Sequence, residues 1–308
     1  MWHVEAIDVT ADSQHRDGSV GAPGDRHPDP SQPYVDASAV GVAACRALES
    51  SRPEPLYVDP FASALVDALP KPSATATVNG DDPRFIMMST YLAARNQLFD
   101  RFLTEDGSRA SRQWVLLGAG LDTRAYRLPL THDSSVFELD RGATLRFKAS
   151  VLSALGAVPA GRHELIDVDL REDWPAALLA NGFDRGRPSA WVAEGLLAQL
   201  PGKAQDLLFA RLDDLSAPGS RLVADSPGTS PAALRDSPDM QSLMKQHNVS
   251  ESAVSDEDRA DPVEWLRKRG WSVRADQAGT VVRQAGRTLD TALGDIMATF
   301  SLVTAEKL

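Results

Sequence analysis

Between residues 114 and 226, five short apolar runs alternate with stretches of helical periodicity, and this alternation constrains the fold more than any other feature. The runs are WVLLGAG at 114–120, SVFELD at 135–140, ELIDVD at 164–169, SAWVAEG at 189–195 and SRLVADS at 220–226. The intervening residues 142–155, 173–181 and 202–216 are predicted to be helical. Strands that are apolar throughout are typical of parallel sheets covered by helices on both faces. We therefore predict an α/β fold with a doubly wound, mostly parallel sheet.

The segments on either side of this region have different characters. Residues 1–33 are polar, show no periodicity and are predicted to form a disordered tail before a single domain at 34–308. Before the apolar runs, we predict a helical cover at 36–104, with helices at 36–50, from Asp59-Pro60 onward and at about 84–104. After them, we predict a polar insertion or lid at 227–261, a helix at 262–269, and strands at 271–275 and 300–305. The insertion follows the fifth strand and is too long for a simple connector.

Composition excludes several classes of protein. The formal net charge is −11 and no basic stripe occurs, so we expect no nucleic-acid partner. No stretch approaches the ~20 apolar residues of a membrane span. The only cysteine, Cys45, cannot form a disulfide within the chain, and neither it nor the histidines show metal-ligand spacing. With an acidic net charge and no recognisable signal peptide, we expect a cytoplasmic protein that acts on a small molecule or a protein and needs no metal.

The first apolar run ends in two glycines and passes into a helical stretch, as in ligand-binding α/β folds. In VLLGAGLDTRAYRL, Gly118 and Gly120 let the backbone turn sharply and let a ligand approach without a Cβ in the way. The dinucleotide fingerprint expects a third glycine, where this chain has Thr123 preceded by Asp122. An acidic side chain beside a pyrophosphate is unfavourable, so a nucleoside without phosphates fits better. Two glycines alone also fit an ordinary turn.

Two of the following strands end in residues that suit a nucleoside. Asp140 lies 20 residues beyond Gly120, where a carboxylate can accept hydrogen bonds from both ribose hydroxyls. Glu138 points to the same side but lies deeper, so we favour Asp140. After the third strand, Asp169 can accept a bond from an adenine amino group while the backbone N–H of Leu170 meets a ring nitrogen. The alternatives are a solvated loop aspartate at 140 and a helix-capping aspartate at 169.

The fourth strand also ends in a carboxylate, Glu194. The carboxyl end of a central parallel strand borders the ligand crevice. Because the preceding residues are apolar and expected to be buried, we favour a role for Glu194 facing an ammonium or sulfonium group of a ligand over a role as the first residue of a loop.

Several motifs, in this order and spacing, resemble one known family. They are YVDPFA at 57–62, ARNQLFDRFL at 94–103, GAGLDTRAYRL, FELD, DVDL, WVAEGLLAQLP and a closing SLVTAEK. Together they resemble the leucine carboxyl methyltransferase family, most closely its bacterial subgroup of S-adenosyl-L-methionine-dependent methyltransferases. The similarity runs from about Ala37 to the end. It implies a class I methyltransferase (Rossmann-like) fold with a helical N-terminal cover, and S-adenosyl-L-methionine as the cofactor.

The resemblance also implies roles for particular residues. An arginine in the long helix before the glycine loop binds the methionine carboxylate in that family, and Arg95 matches it. The alternative is that Arg95 is a surface arginine paired with Asp100 or another acid. The residues thus expected to bind the cofactor are Arg95, Gly118, Gly120, Asp140, Asp169, Leu170 and Glu194. A basic residue of the first helix contributes in eukaryotic members; Arg46 is the nearest candidate, without a secure alignment.

The reaction follows from the resemblance only in outline. We expect O-methylation of a carboxylate or hydroxyl on a small molecule, with no catalytic base identified. Tyr126 and Arg124 are candidates to line the acceptor side, Arg124 and Arg127 can equally pair with nearby acids, and His163 is expected to be structural. The alternatives are a nicotinamide-dependent oxidoreductase and a cofactor-binding protein without turnover. No sequence feature indicates an oligomeric state.

Overall fold

A seven-stranded sheet forms the centre of the fold. The structure is a computed structural model that describes residues 35, 37–69, 82–105, 112–227 and 260–308. The strands are β1 (Gln113–Leu117), β2 (Ser135–Asp140), β3 (Arg162–Asp167), β4 (Ser189–Ala193), β5 (Arg221–Ser226), β6 (Trp271–Gln277) and β7 (Ser301–Lys307). Their order across the sheet is β3-β2-β1-β4-β5-β7-β6. The pairs from β3 to β5 are parallel, and β7 is antiparallel to both of its neighbours. The predicted α/β, mostly parallel sheet is confirmed.

Helices connect the strands and cover the sheet. The helices among the described residues are α1 (Ala37–Ser50), α2 (Ala62–Asp67), α3 (Pro83–Thr104), α4 (Arg124–Arg127), α5 (Gly142–Ala154), α6 (Trp174–Ala180), α7 (Gly202–Asp214), α8 (Pro262–Arg267), α9 (Ala278–Gln284) and α10 (Ala292–Ala298), with a 3-10 turn at Leu197–Gln199. The long helix α3 begins with Asp82, whose side chain accepts the Arg84 N–H, followed by a proline in the first turn. Among these helices, none combines the length and the apolar character that crossing a membrane requires.

The central strands are apolar over most of their length because both of their faces are buried. All five residues of β1 are buried. Trp114 and Leu116 belong to the core under α3 and α9, whereas Val115 and Leu117 belong to the core on the opposite face, which contains Trp191. This two-sided burial explains why the strands read as continuous apolar runs rather than as alternating patterns.

Among the boundaries that differ from the sequence-based predictions, two bear on the site. The second helix begins at Ala62 and not at Asp59. The Asp59 carboxylate accepts the Phe61 N–H at 3.0 Å, as a helix-capping aspartate does, and it also accepts the Thr123 hydroxyl at 2.7 Å. Asp59 thereby ties the loop before α2 to the residues that follow the glycine loop. The third strand ends at Asp167, so Asp169 lies two residues beyond it.

Two predicted segments fall largely outside the described residues. They are the disordered tail at 1–33 and the insertion at 227–261, of which the structure describes Pro227 and residues 260–261. Both remain predictions.

Candidate cofactor site

The glycine loop lies where the sheet changes its direction of winding. Strand β1 pairs with β2 on one side and with β4 on the other. The connection after β1 leads to β2 and the connection after β4 leads to β5, in opposite directions across the sheet, so a crevice opens between them at the carboxyl ends of β1 and β4. Gly118 is exposed there and has a φ of 64°, which other residues rarely adopt. A Cβ at this position would lie 3.7 Å from Leu196 Cδ1 and 3.9 Å from Leu170 Cδ1. The exposed glycine is therefore flanked by two apolar side chains, one of them the predicted Leu170.

Asp140 contacts the glycine loop directly. Its Oδ2 accepts the Gly120 N–H at 2.6 Å, and its Oδ1 accepts the Arg141 N–H, also at 2.6 Å. Gly120 has a φ of 47°, and a Cβ there would lie 3.3 Å from the Ala39 Cβ of α1. The spacing of 20 residues thus brings the predicted pair into contact at the carboxyl ends of two adjacent strands. Asp140 is half-buried, and each carboxylate oxygen keeps a lone pair for a ligand.

Asp169 lies at the adjacent edge of the same crevice. Its carboxylate accepts hydrogen bonds from the Arg171 backbone N–H and from Arg171 Nε, both at 2.9 Å. The bond from the Arg171 side chain holds the pKa of Asp169 below its ordinary value. The alternative role of helix cap belongs to Asp173, whose side chain accepts the Ala176 N–H at the start of α6. Asp169 therefore does not cap the helix, as its proposed hydrogen bond with the adenine amino group requires.

Arg95 and Glu194 face each other inside the protein. Arg95 Nη2 lies 2.7 Å from Glu194 Oε1, and Arg95 Nη1 lies 2.6 Å from Asp225 Oδ2. Arg95 is thus a buried helical residue held between two carboxylates and not a surface arginine. Its Nε is buried without a hydrogen-bond partner among the described residues. A guanidinium has five N–H donors, so Arg95 retains hydrogen-bonding capacity beyond its two ion pairs.

Glu194 also contacts a second guanidinium. Its Oε2 lies 2.7 Å from Arg124 Nη2. Burial by itself would raise the pKa of Glu194, but the guanidinium groups of Arg124 and Arg95 bring it below its ordinary value. Glu194 is therefore a carboxylate between two cations.

These contacts extend into a larger cluster, which we call the buried ion network. Its members are Arg95, Asp100, Asp122, Arg124, Arg127, Glu194 and Asp225, joined by ion pairs of 2.5 to 2.7 Å. Three guanidinium groups meet four carboxylates, so the network carries one formal negative charge in excess. Asp122 also accepts the backbone N–H of Arg124, the first residue of α4, at 2.7 Å. In a dinucleotide site, a pyrophosphate would accept a hydrogen bond from this N–H at the start of the helix. Here the Asp122 carboxylate already accepts it.

Sequence reasoning missed part of this network. Asp225 follows the apolar residues of β5, and it joins three elements by accepting hydrogen bonds from Arg95, from the Tyr91 hydroxyl at 3.1 Å and from the Gly195 N–H at 2.6 Å. The sequence did contain a sign of its importance: an acid ends a strand whose preceding residues are apolar, as at Glu194. Asp100, the alternative partner for Arg95, pairs instead with Arg124 and Arg127.

The other candidates have structural partners. Arg46 is buried and donates to the Leu121 carbonyl at 2.6 Å, so it holds the glycine loop. Tyr126 packs edge-on against Phe61 and His163, and burial, together with the nearby Glu138, raises its pKa to about 12. Arg124 belongs to the buried ion network, in agreement with the alternative that it pairs with acids.

Glu138 and Lys148 form a second, separate ion pair. Lys148 Nζ lies 2.6 Å from Glu138 Oε2, and His163 Nε2 lies 3.2 Å from Glu138 Oε1. The side chain of Glu138 is completely buried and that of Lys148 is 1% exposed. Glu138 is thus an interior structural residue, which supports Asp140 as the residue that faces a ligand.

Comparisons with known proteins show which family the sequence matches. Residues 39–213 match the family model described as leucine carboxyl methyltransferase. A protein of Rhodococcus jostii (strain RHA1) named "Putative S-adenosyl-L-methionine-dependent methyltransferase" is 41% identical over 261 residues, covering 82% of this chain and 88% of that protein. A protein of the same name from Mycobacteroides abscessus is 38% identical over 300 residues, covering 89% of this chain and 95% of the relative.

Solved structures show the same fold at low sequence identity. The crystal structure of a "putative methyltransferase" from Thermobifida fusca YX superposes with a TM-score of 0.51 at 18% identity, covering 87% of this chain and 94% of that one. A duf574 family protein from Streptomyces avermitilis superposes with a TM-score of 0.50 at 15% identity, covering 87% of this chain and 97% of that one. The fold is that of a class I methyltransferase.

The chain belongs to the leucine carboxyl methyltransferase family. It is an S-adenosyl-L-methionine-dependent methyltransferase, as the resemblance implied.

Proposed function

We propose that this enzyme methylates an oxygen atom of a small molecule, most favourably a carboxylate, and that Arg95, Gly118, Gly120, Asp140, Asp169, Leu170 and Glu194 bind the cofactor. The observation that carries this proposal is the direct contact between the glycine loop and Asp140 at the crevice where β1 separates β2 from β4. The capped start of α4 and the flanking leucines favour a nucleoside without phosphates.

Different residues around the crevice bind different parts of the cofactor. Asp140 accepts hydrogen bonds from the ribose hydroxyls, and Asp169 with the Leu170 backbone meets the adenine. Because these residues follow β2 and β3, the methionine half extends toward β4, where Arg95 and Glu194 lie. The unpartnered Nε of Arg95 is a donor that the methionine carboxylate can satisfy, and Glu194 offers a negative group to the ammonium.

We propose a carboxylate acceptor because the described residues around the crevice offer no general base. When bound, S-adenosyl-L-methionine supplies an activated methyl group on a sulfonium. A carboxylate acceptor needs no deprotonation, whereas a hydroxyl needs a general base. Among the described residues directly after β1, β4 and β5 (118–128, 194–201 and 227), none is a histidine, and the carboxylates nearest to them are held in ion pairs. What the chain contributes is positioning of the acceptor oxygen in line with the S–C bond.

We expect Asp140→Asn to weaken S-adenosylhomocysteine binding by about tenfold. The variant loses the charge of an acceptor shared by two ribose hydroxyls, and a hydrogen bond to a charged group contributes about 1.5–3 kcal/mol. Isothermal titration calorimetry measures the change, with NADH as a second ligand that should not bind comparably.

Asp167→Asn is the matched control for this variant. Asp167 is the β3 partner of Asp140 in the sheet register and accepts the Gly142 N–H, a bond that an asparagine retains. Equal losses in both variants, or tighter binding of NADH by the unmodified protein, would remove the support for this site.

We also expect transfer of labelled methyl from S-adenosyl-L-methionine to a component of a small-molecule extract. Carboxylate methyl esters are distinguished from methyl ethers because mild alkali hydrolyses esters and releases labelled methanol. A base-stable product contradicts the preference for a carboxylate. Cofactor binding without transfer to any fraction identifies a protein that binds the cofactor without turnover.

A further inference from the structure

Asp169 and Arg171 form a closed turn at the edge of the crevice. The Asp169 side chain accepts the Arg171 backbone N–H at 2.9 Å, and the Asp169 carbonyl accepts the Glu172 N–H at 2.9 Å. Leu170 lies between them in the chain, and its Cδ1 is 3.9 Å from the position that a Cβ on Gly118 would take. The turn therefore lies beside the exposed glycine of the loop.

The Arg171 side chain folds back onto the same carboxylate and uses most of its capacity to accept hydrogen bonds. Arg171 Nε lies 2.9 Å from Oδ1 and 3.0 Å from Oδ2 of Asp169, and Arg171 Nη2 lies 2.5 Å from Oδ2. Together with the backbone N–H, three N–H groups of one residue contact a carboxylate that has about four lone-pair sites. About one site therefore remains for a donor that belongs to a ligand.

These contacts also fix the orientation of the carboxylate. The planar fork of a guanidinium matches the two oxygens of a carboxylate, so rotation of the Asp169 carboxylate would break at least one of the bonds. The Arg171 side chain keeps the pKa of Asp169 below its ordinary value, so the group is an acceptor only. Because the Arg171 side chain is 79% exposed, and exposed ion pairs add little to stability, a contribution to the fold explains this pair poorly.

We propose that Arg171 is a positioning residue for recognition of the cofactor's base: it holds Asp169 so that the remaining acceptor site meets the amino group of a 6-aminopurine and excludes a 6-oxopurine. This role rests on the proposed function, in which Asp169 and the Leu170 N–H meet the adenine. An amino group at C6 donates a hydrogen bond to the carboxylate, whereas an oxo group at C6 presents its lone pairs to a negative charge. A carboxylate that was free to rotate could turn away from the oxo group, so the discrimination depends on Arg171.

The test compares the affinities of S-adenosylhomocysteine and S-inosylhomocysteine, which has an oxo group in place of the amino group, by calorimetry. The unmodified protein should prefer the adenosyl ligand by at least about tenfold, because a hydrogen bond to a charged group is lost with the other ligand. Arg171→Leu should weaken binding of the adenosyl ligand and reduce this preference about fivefold. The backbone N–H groups of residues 171 and 172 are retained in this variant, so the turn and the Leu170 N–H keep their places.

Two further variants isolate the orientation of the carboxylate. Arg171→Lys keeps the positive charge but lacks the planar fork, so it should reduce the preference as Arg171→Leu does. Arg274→Leu is the matched control, because Arg274 forms the same kind of two-point pair with Asp276, two residues away on β6. It should change neither affinity.

The preference between the two ligands separates positioning from a merely structural role. A variant that only destabilised the turn would weaken both ligands equally, and an unchanged preference in Arg171→Leu overturns the proposal. Full retention of the preference in Arg171→Lys also overturns it, because the charge alone would then be sufficient.

Asp169→Asn tests the proposed function separately. Its amide can donate a hydrogen bond to the oxo group, so the preference for the adenosyl ligand should fall or reverse. If the preference does not change in Asp169→Asn, or if neither ligand binds the unmodified protein, the proposed function fails at this residue. If Asp169→Asn changes the preference and Arg171→Leu does not, only the role of Arg171 is overturned.

Discussion

Replacing Arg124 with leucine is expected to lower the free energy of unfolding by about 3–5 kcal/mol, the usual effect of removing one partner from a buried ion pair. Arg124 is 1% exposed, and its guanidinium nitrogens lie 2.7 Å from Asp100, 2.5 Å from Asp122 and 2.7 Å from Glu194. Leucine supplies no counter-charge, so three buried carboxylates lose their shared cation. Urea denaturation followed by circular dichroism measures the loss.

Arg274→Leu is the control for this variant. Arg274 pairs with Asp276 on β6, but its side chain is 70% exposed. Exposed pairs contribute about 0–1 kcal/mol, so its midpoint should hardly move. Similar midpoints for the two variants would show that solvent reaches the buried ion network and screens its charges.

Lys148→Met is the second substitution with a large expected effect. It leaves the completely buried Glu138 without the ammonium 2.6 Å away, and His163 is the remaining basic group beside it. We again expect a loss of about 3–5 kcal/mol in the free energy of unfolding. The same substitution removes the bond from Lys148 Nζ to the Asp122 carbonyl at 3.0 Å, so the glycine loop should also lose order.

A double variant identifies the cause of that loss. Lys148→Met combined with Glu138→Leu removes both charges and fills the space with apolar atoms, which often restores stability. We expect the double variant to be more stable than Lys148→Met alone in urea denaturation, and the double-mutant cycle gives the coupling energy. A double variant that is less stable than either single variant would mean that packing, not the unpaired carboxylate, explains the effect.

Much of the fold was predictable because its signals are local. A continuous apolar run such as residues 114–117, bounded by turn residues, indicates a segment with both faces buried, and all four of its residues are buried. A local rule was less exact at Asp59-Pro60. These residues have the sequence of a helix start, yet Asp59 also binds Thr123, 64 residues away, and the helix begins at Ala62.

In the candidate site, the contact of Asp140 with the glycine loop was predictable, whereas the partners of Arg95 were not. The contact between Gly120 and Asp140 follows from two adjacent strands of predictable length. The contacts of Arg95 with Glu194 and Asp225 span 99 and 130 residues, and nothing in the local sequence of any of the three specifies its partners. A formal charge excess in particular cannot be read from a sequence, because it depends on which acids and bases the fold encloses together.

The position of β7 in the sheet has a consequence for the order of folding. β6 pairs with β7 and with no other described strand, and β7 lies between β6 and β5. During synthesis residues 271–277 emerge before residues 301–307, so β6 has no edge to join until β7 is available. The parallel strands can assemble earlier, but β5 then presents an unpaired edge. Completion of the sheet therefore waits until β7 is free to pair, and before that step the unpaired edge of β5 leaves the chain exposed to aggregation.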